Sequence, residues 1–230
     1  MSKELQHILF LDIETVPQTY RYSELQEETR RLWDNKWQYQ KDTGGEDHYV
    51  KAGIYAEFAK IISIGVGYYH EGKFRVKCFS GHDEALLLKE FSELLNLHFS
   101  KTENKLCAHN GKEFDYPFIC RRMLINKLKL PKILQIQGLK PWEVKHLDTM
   151  ELWKFGDIKN YTSLNLLAHV LHIPSPKDDM DGSMVSKVYY EEKDLEKINR
   201  YCMKDVITLA RVYGRFAGMQ DLQEDDIIYV

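Results

Sequence analysis

The chain has 230 residues, of which 43% are hydrophobic and 29% charged; this ordinary globular mixture excludes a disordered or low-complexity protein. Its formal charge of -3 argues against a protein that coats nucleic acid through bulk positive charge, although a local basic surface stays open. No apolar run approaches the roughly 20 residues that span a bilayer, and the first residues lack the apolar stretch of a secretion signal. We therefore expect a soluble, cytoplasmic protein with no membrane segment. The four cysteines stand far apart in apolar surroundings and are expected to be buried free thiols.

Short apolar runs and period-two alternation predict five β-strands, and amphipathic spacing predicts helices between and after them. In chain order, the strands are expected at residues 7–15, 60–69, 73–79, 105–109 and 145–147. The helices are expected at residues 24–37, 82–98, 116–128, 162–171 and 193–216, with a loop over 173–190. Three strands in an antiparallel meander, then two parallel strands that alternate with helices, predict an α/β fold with a mixed five-stranded sheet covered by helices.

One segment interrupts this alternation. Residues 18–58 are polar, aromatic and highly charged, and we interpret them as a helical and loop insertion within a single domain that spans residues 1–230. Because the segment is short and polar, we expect it to lack a hydrophobic core of its own. Its aromatic residues are expected to pack on the sheet, and stacking on single-stranded bases is the alternative: Trp33, Trp37, Tyr39 and Tyr49.

Three separate segments carry carboxylates near the ends of predicted elements. Asp12 and Glu14 are two positions apart on a strand, so both project from one face, where they repel each other unless a cation lies between them. Asp115 is expected in the first turn of a helix, and Tyr201 lies one turn before Asp205 on the last helix. Each segment alone is compatible with a structural role, such as a solvated strand end or a favourable charge at a helix N-terminus. Their joint occurrence in one chain is much less expected by chance.

In this order the three segments resemble the motifs of a known enzyme superfamily. Asp-Ile-Glu-Thr at 12–15, Asn-Gly-Lys-Glu-Phe-Asp at 110–115 and Tyr-Cys-Met-Lys-Asp at 201–205 resemble the motifs of the DEDD 3′–5′ exonucleases, and the tyrosine marks the DEDDy branch. From residue 8 to residue 217 the chain looks like a stand-alone predicted exonuclease related to the proofreading domain of B-family DNA polymerases. The resemblance implies a ribonuclease-H-like fold and the metal-dependent release of nucleotides from a 3′ end.

The resemblance also implies roles for the motif residues. Asp12, Glu14, Asp115 and Asp205 would be catalytic and would hold two divalent cations, Mg²⁺ or Mn²⁺, at the scissile phosphate. Tyr201 would orient the attacking water. Five further residues are expected to contact the substrate: Thr15, Asn110, Phe114, Lys177 and Ser183. A place in the hydrophobic core is an equally good interpretation of Phe114. For Lys177 and Ser183, which lie in the loop over 173–190, the alternative is a well-formed turn without a substrate contact.

We therefore expect a 3′–5′ exonuclease that acts on the 3′ end of single-stranded nucleic acid. DNA is favoured over RNA because the resemblance to polymerase proofreading domains is the closer one. An exoribonuclease stays open, since discrimination of the 2′-hydroxyl depends on one or two contacts, and so does a catalytically silent nucleic-acid-binding module of the same fold. A proofreading role would need a replication or repair partner, which the sequence does not name.

Overall fold

The structure is a computed structural model that describes residues 3–39, 44–157, 161–174 and 180–230. It contains a six-stranded sheet with the strand order β5-β4-β1-β2-β3-β6. Strands β1, β2 and β3 form an antiparallel meander, β4 and β5 add in parallel beside β1, and β6 adds in parallel beside β3. The strands are β1 Ile8–Pro17, β2 Ala59–His70, β3 Lys73–Ser80, β4 Lys105–Ala108, β5 Leu147–Asp148 and β6 Ile227–Tyr229. The predicted mixed sheet is confirmed, with one strand more than expected.

The sixth strand is absent from the prediction because it is only three residues long and gives no measurable periodicity. Contacts from distant residues hold it in place. Asp226 pairs with Lys73 at 2.7 Å, and Glu224 pairs with Arg211 of the last helix at 2.6 Å. The predicted number of five strands is therefore wrong, because it lacks this edge strand, which only contacts in the tertiary structure stabilise.

Helices cover both faces of the sheet. They are α1 Glu27–Trp37, α2 Gly45–His48, α3 Glu84–His98, α4 Asp115–Ile125, α5 Thr149–Lys154, α6 Leu164–Val170, α7 Val185–Lys187 and α8 Leu195–Phe216. Asp148 and Ser163 cap the first turns of α5 and α6, since their side chains accept hydrogen bonds from backbone N–H groups of those turns. Among the described residues, no helix is long and apolar enough to cross a membrane.

The alternation of side chains along β1 decides which helices each residue meets. Leu9, Leu11 and Ile13 belong to the buried cluster that contains α3 and α4, whereas Ile8 and Phe10 belong to the cluster beneath α8. Because successive residues of a strand point to opposite faces, the two acids that follow Phe10 at even positions lie on the α8 side. The hydrophobic alternation of one strand thus places the carboxylates under the last helix.

The predicted insertion does bury a small hydrophobic cluster, so the expectation that it has no core is wrong. Trp33 is completely buried together with Leu25, Tyr49 and Ala52. Its indole N–H donates to the carbonyl of Gly45 at 2.6 Å, and the rings of four other aromatic residues surround it: Trp37, Tyr49, Tyr55 and Phe58. Large aromatic side chains bury enough area to compensate for the polar composition of the segment.

The loop predicted over 173–190 is also partly helical. A 3-10 turn at Gly182–Met184, helix α7 and a π-helical turn at Val188–Glu192 follow one another directly. Their apolar side chains pack on Val16 and Ile62 of the sheet. The Pro, Asp and Gly residues before residue 183 dominate the composition of the stretch 173–190, so its average does not indicate the short apolar segment that follows them.

His146 joins the edge of the sheet to the preceding loop and should make stability depend on pH. Its Nδ1 accepts from Leu106 N–H at 3.3 Å and its Nε2 donates to the carbonyl of Ile133 at 2.9 Å, while burial lowers its pKa to about 4. Below about pH 6.5 the His146 side chain binds a proton in the unfolded chain but stays neutral in the folded chain. Between pH 6.5 and 4 the free energy of unfolding should therefore fall by up to about 1.4 kcal/mol per pH unit.

Urea unfolding of the wild type from pH 7 to pH 5 measures this dependence. We expect His146→Gln to flatten it and His98→Gln, at an exposed position at the end of α3, to leave it unchanged. An identical dependence in His146→Gln would contradict the assignment of this effect to His146.

Candidate active site

Asp12 and Glu14 lie side by side on β1, under α8. Glu14 is only 7% exposed, whereas Asp12 keeps some accessible surface. Ligand atoms of the two carboxylates and the Sγ of Cys202 all lie within 4.8 Å of one another. Burial is the main cause that raises the pKa of both carboxyl groups well above the ordinary range, and the neighbouring acids raise it further.

Asp115 reaches the same place from the start of α4. Strand β4 pairs with β1 only from Ile8 to Phe10, so the edge of β1 beyond Phe10 is open, and the Asp115 carboxylate lies close enough to the Ile13 backbone for it to lower the Asp115 pKa. Asp115 is 3% exposed, and burial, opposed by backbone hydrogen bonds, raises its pKa to about 7. Its charge in turn raises the pKa of Asp12 and Glu14.

Helix α8 contributes Tyr201 and Asp205, which are one turn apart and face the strand acids. The charge of Asp205 raises the pKa of both Asp12 and Glu14. Burial, followed by the charges of Asp205, Glu14 and Asp12, raises the pKa of the Tyr201 phenol, and a hydrogen bond to Asp205 adds to the effect. Tyr201 is therefore a neutral hydrogen-bonding group at this site. The structure thus brings together all five residues predicted to be catalytic.

Two glycines of β2 allow α8 to lie this close to the sheet. Gly65 is paired with Asp12 across β1 and β2, and a Cβ atom there would lie 2.8 Å from Cys202 Sγ and 3.2 Å from the Cys202 carbonyl oxygen. At Gly67 a Cβ atom would meet the ring of Phe74 on β3 first and would also lie 2.8 Å from Val206 Cγ1 of α8. Because real Cβ atoms do not approach so closely, side chains at these positions would push the helix away from the acids.

The turn before Asp115 is held by Asp148. The Asp148 carboxylate accepts from the backbone N–H groups of Asn110 and Lys112 at 3.0 and 3.1 Å. Asn110 adopts the left-handed conformation with φ of 63°, and within the described part of the chain its buried Oδ1 has no hydrogen-bond partner. Phe114 packs against the hydrophobic core and lies 5.2 Å from the ring of Phe118, an arrangement that fits the core alternative.

The remaining predicted substrate residues are placed differently. The Thr15 hydroxyl donates to the carbonyl of Gly53 at 2.7 Å and so attaches β1 to the insertion. Lys177 lies outside the described residues. Ser183 is exposed, and its N–H and Oγ both donate to the Asp181 carboxylate, at 2.8 and 2.5 Å. A contact between these residues and a substrate stays a prediction.

Sequence reasoning missed Cys202 as a neighbour of the acids. It is fully buried, as Cys107 is, in line with the expectation for cysteines, whereas Cys78 and Cys120 are partly exposed. The sequence spacing does not indicate that the thiol contacts Asp12, because the two residues are 190 positions apart. The only hint in the sequence that Cys202 lies near the site is its position directly after Tyr201.

The match to a family model decides the family of the chain. Residues 54–227, about three quarters of the chain, match a model described as a predicted 3′–5′ exonuclease related to the exonuclease domain of PolB. The chain belongs to this family. It is a 3′–5′ exonuclease and thus a hydrolase. The match includes Asp115, Tyr201 and Asp205, and the fold places Asp12 and Glu14, which precede the matched segment, beside them.

A search of the curated proteins gives no match to the exonuclease, and three solved structures resemble it to different degrees. The family B DNA polymerase from the hyperthermophilic archaeon Pyrobaculum calidifontis has a TM-score of 0.54 and 14% identity, over 91% of the exonuclease and 24% of the polymerase chain. Product-bound exonuclease I has a TM-score of 0.42 and 11% identity, over 93% and 48% of the two chains. The RNase domain of the yeast Pop2 protein has a TM-score of 0.43 and 11% identity, over 97% and 82%. The exonuclease spans about a quarter of the polymerase, and the likeness to it confirms the expected ribonuclease-H-like fold.

Proposed function

We propose that this exonuclease removes nucleotides from the 3′ end of single-stranded nucleic acid, DNA in preference to RNA, and that Asp12, Glu14, Asp115 and Asp205 hold two divalent cations. The observation that carries the proposal is the convergence of these carboxylates from a strand and two helices. Within the described residues, no salt bridge involves Asp12, Glu14 or Asp115. The preference for DNA is supported by the relation of the family to the exonuclease domain of PolB.

The chemistry of these side chains fits a divalent metal site. Buried carboxylates without a counter-charge are costly, and a cation among them removes both the repulsion and the loss of hydration. Glu14 in particular is almost completely buried, and its carboxylate has no hydrogen-bond donor among the described residues. Hard cations such as Mg²⁺ and Mn²⁺ prefer oxygen ligands of this type.

The residues divide the work of phosphodiester hydrolysis between them. When bound, the two cations polarise the scissile phosphodiester and activate the attacking water. Asp12 and Glu14 would hold the ions from the rigid strand, and Asp115 and Asp205 would hold them from the helices. Tyr201, kept as a neutral phenol by its surroundings, orients the water through a hydrogen bond. The water oxygen would form the new bond to phosphorus while its proton passes to solvent, and the 3′ oxygen of the shortened strand would leave and take up a proton from solvent.

Asn110 is the best placed of the predicted substrate contacts. Its left-handed backbone and unpaired buried Oδ1 are features that concentrate where a loop is held for a ligand. Asp148 fixes this conformation through the backbone N–H of Asn110. We place the base or sugar of the terminal nucleotide within reach of this side chain.

For the domain organisation, we keep the interpretation of a single domain in which residues 18–58 are an insertion.

The decisive assay uses 5′-labelled single-stranded DNA and RNA of the same sequence, incubated with the protein and Mn²⁺. We expect shortening from the 3′ end, faster with DNA, and no shortening when a chelator is added. Faster shortening of RNA would replace the DNA proposal with the exoribonuclease. Binding of either strand without shortening would favour the catalytically silent module.

Tyr201→Phe tests the role of the phenol. We expect kcat to fall by roughly 100-fold, with little change in KM, because hydrogen-bonded positioning and proton transfer contribute about 10² to 10⁴ to such reactions. Tyr213→Phe is the matched control, since Tyr213 lies on the same helix but packs on Phe10. Unchanged kcat in Tyr201→Phe would exclude the proposed role of the hydroxyl group.

A further inference from the structure

The Cys202 thiol lies at the carboxylate site but has no part in the proposed hydrolysis. Its Sγ donates to the main-chain oxygen of Asp12 at 3.5 Å and lies 3.6 Å from Asp12 Oδ2. On its other side it accepts from the backbone N–H of Gly65 at 3.2 Å. These contacts and its complete burial fix the sulfur atom beside the acids.

The spacing of the three side chains suits a single cation. Ligand atoms of Asp12, Glu14 and Cys202 lie within 4.8 Å of one another. The ligand atoms of a tetrahedral zinc ion, bound at about 2.0 to 2.3 Å each, lie about 3.3 to 3.8 Å from one another. Cys202 Sγ and Asp12 Oδ2, 3.6 Å apart, already have this spacing, and a side-chain movement of at most about 1 Å brings Glu14 to the same ion.

The Glu14 carboxylate, which also supports the proposed hard-cation site, gives a second reason to expect a cation beside Cys202. It is 7% exposed, and in the described part of the chain its carboxylate receives no hydrogen bond, although it faces the other two groups. A buried carboxylate without a partner is costly. Cys202 and Asp12 contact each other, so Glu14 is the member of the group that most needs a cation.

We propose that Asp12, Glu14 and Cys202 form a mixed oxygen and sulfur site for a thiophilic divalent cation such as Zn²⁺ or Cd²⁺. Sulfur ligands favour soft and borderline metals over Mg²⁺, and three protein ligands with an open fourth position are a common zinc arrangement. As the metal–sulfur bond forms, the thiol proton leaves to solvent. Because the site shares two of the four acids, a thiophilic cation bound there displaces a hard cation and inhibits the exonuclease, a consequence that rests on the proposed function.

The binding test uses Cd²⁺ titration of the metal-free full-length protein, followed by the ultraviolet charge-transfer absorption of a cadmium–thiolate bond. We expect one equivalent of Cd²⁺ to produce the band in the wild type. Cys202→Ser should abolish it and weaken Cd²⁺ binding by about 100-fold or more. Cys120→Ser, at a thiol that contacts Leu134 instead, is the matched control and should keep the band.

Two further variants decide which groups surround the ion. Glu14→Gln should weaken Cd²⁺ binding by at least about 10-fold, and Cys78→Ser should leave the band unchanged. Cys78 is informative because its thiol lies close enough to Cys202 for that residue to lower the Cys78 pKa, although its own hydrogen bond goes to the carbonyl of Asn199 at 3.4 Å. A band lost in both cysteine variants and unaffected in Glu14→Gln would place the ion between two thiols and overturn the proposal. A band that persists in Cys202→Ser, or no band in the wild type, would also overturn it.

Inhibition is measured separately. Zn²⁺ should suppress the Mn²⁺-dependent shortening of DNA by the wild type, and Cys202→Ser should need at least about 10-fold more Zn²⁺ for the same effect. Melting curves show whether each variant is folded. A wild type that gives the cadmium band but never shortens a strand would refute the proposed function and leave this metal site standing, so the two failures are distinguishable.

Discussion

Asp12→Asn is expected to reduce exonuclease activity by about 10³-fold or more while stabilising the metal-free protein. Loss of one carboxylate ligand removes several kcal/mol of transition-state stabilisation, and every 1.36 kcal/mol corresponds to a tenfold change in rate. Asn has nearly the same shape as Asp and leaves the neighbouring Cys202 in place. The fall in activity therefore reports the lost charge rather than a cavity.

The stability change has the opposite sign because Asp12 is a destabilising carboxylate without metal. Burial and the neighbouring acids raise its pKa in the folded state, so its contribution to stability is lost as the pH rises above the ordinary range of an aspartate near 4. At pH 7 in the presence of a chelator, we expect Asp12→Asn to raise the free energy of unfolding by on the order of 1 kcal/mol. Urea unfolding measures this difference in the free energy of unfolding between Asp12→Asn and the wild type, once in a chelator and once with Mn²⁺.

In the wild type, Mn²⁺ should increase the melting temperature, since a ligand that binds only the folded state stabilises it. In Asp12→Asn this increase should be much smaller. Asp225→Asn, at an exposed residue near the edge strand, is the control and should keep both the activity and the response to Mn²⁺. Undiminished stabilisation by Mn²⁺ in Asp12→Asn would show that the cations bind elsewhere.

Gly65→Ala is expected to damage the site without altering a single predicted catalytic residue. The new Cβ would lie 2.8 Å from Cys202 Sγ, 3.0 Å from Val206 Cγ2 and 3.2 Å from the Cys202 carbonyl. Overpacking of this kind costs about 1 to 3 kcal/mol of stability. Because α8 carries Tyr201 and Asp205, a displacement of about 1 Å should lower activity by roughly 100-fold.

The control and the rescue separate local strain from general instability. Gly44→Ala adds a methyl group that meets no atom within 4 Å and should change neither property. Cys202→Ala in the Gly65→Ala background removes the nearest atom and should restore part of the stability, with a coupling energy of about 0.5 to 3 kcal/mol. A stable, fully active Gly65→Ala protein would show that the close approach of α8 does not set the geometry of the site.

Local patterns were enough to predict most of the architecture. The alternation that leads from Ile8 to Glu14, the hairpin at residues 60–79 and the amphipathic last helix all carry their periods in a short window of sequence. Where composition misled the prediction, a few large side chains were responsible. Trp33 and its aromatic neighbours bury themselves within a segment whose average is polar, and Val188 and Tyr189 do so within a loop-like stretch.

The sequence by itself determined the residue types of the site and their order, because motif spacing and strand alternation are properties of neighbouring positions. The tertiary structure alone decided which residues meet. Cys202 lies against Asp12 although 190 positions separate them, and Gly65 makes the approach possible from a third segment. Such contacts depend on how closely two surfaces pack, and that distance is set by side chains whose pairing no local pattern encodes.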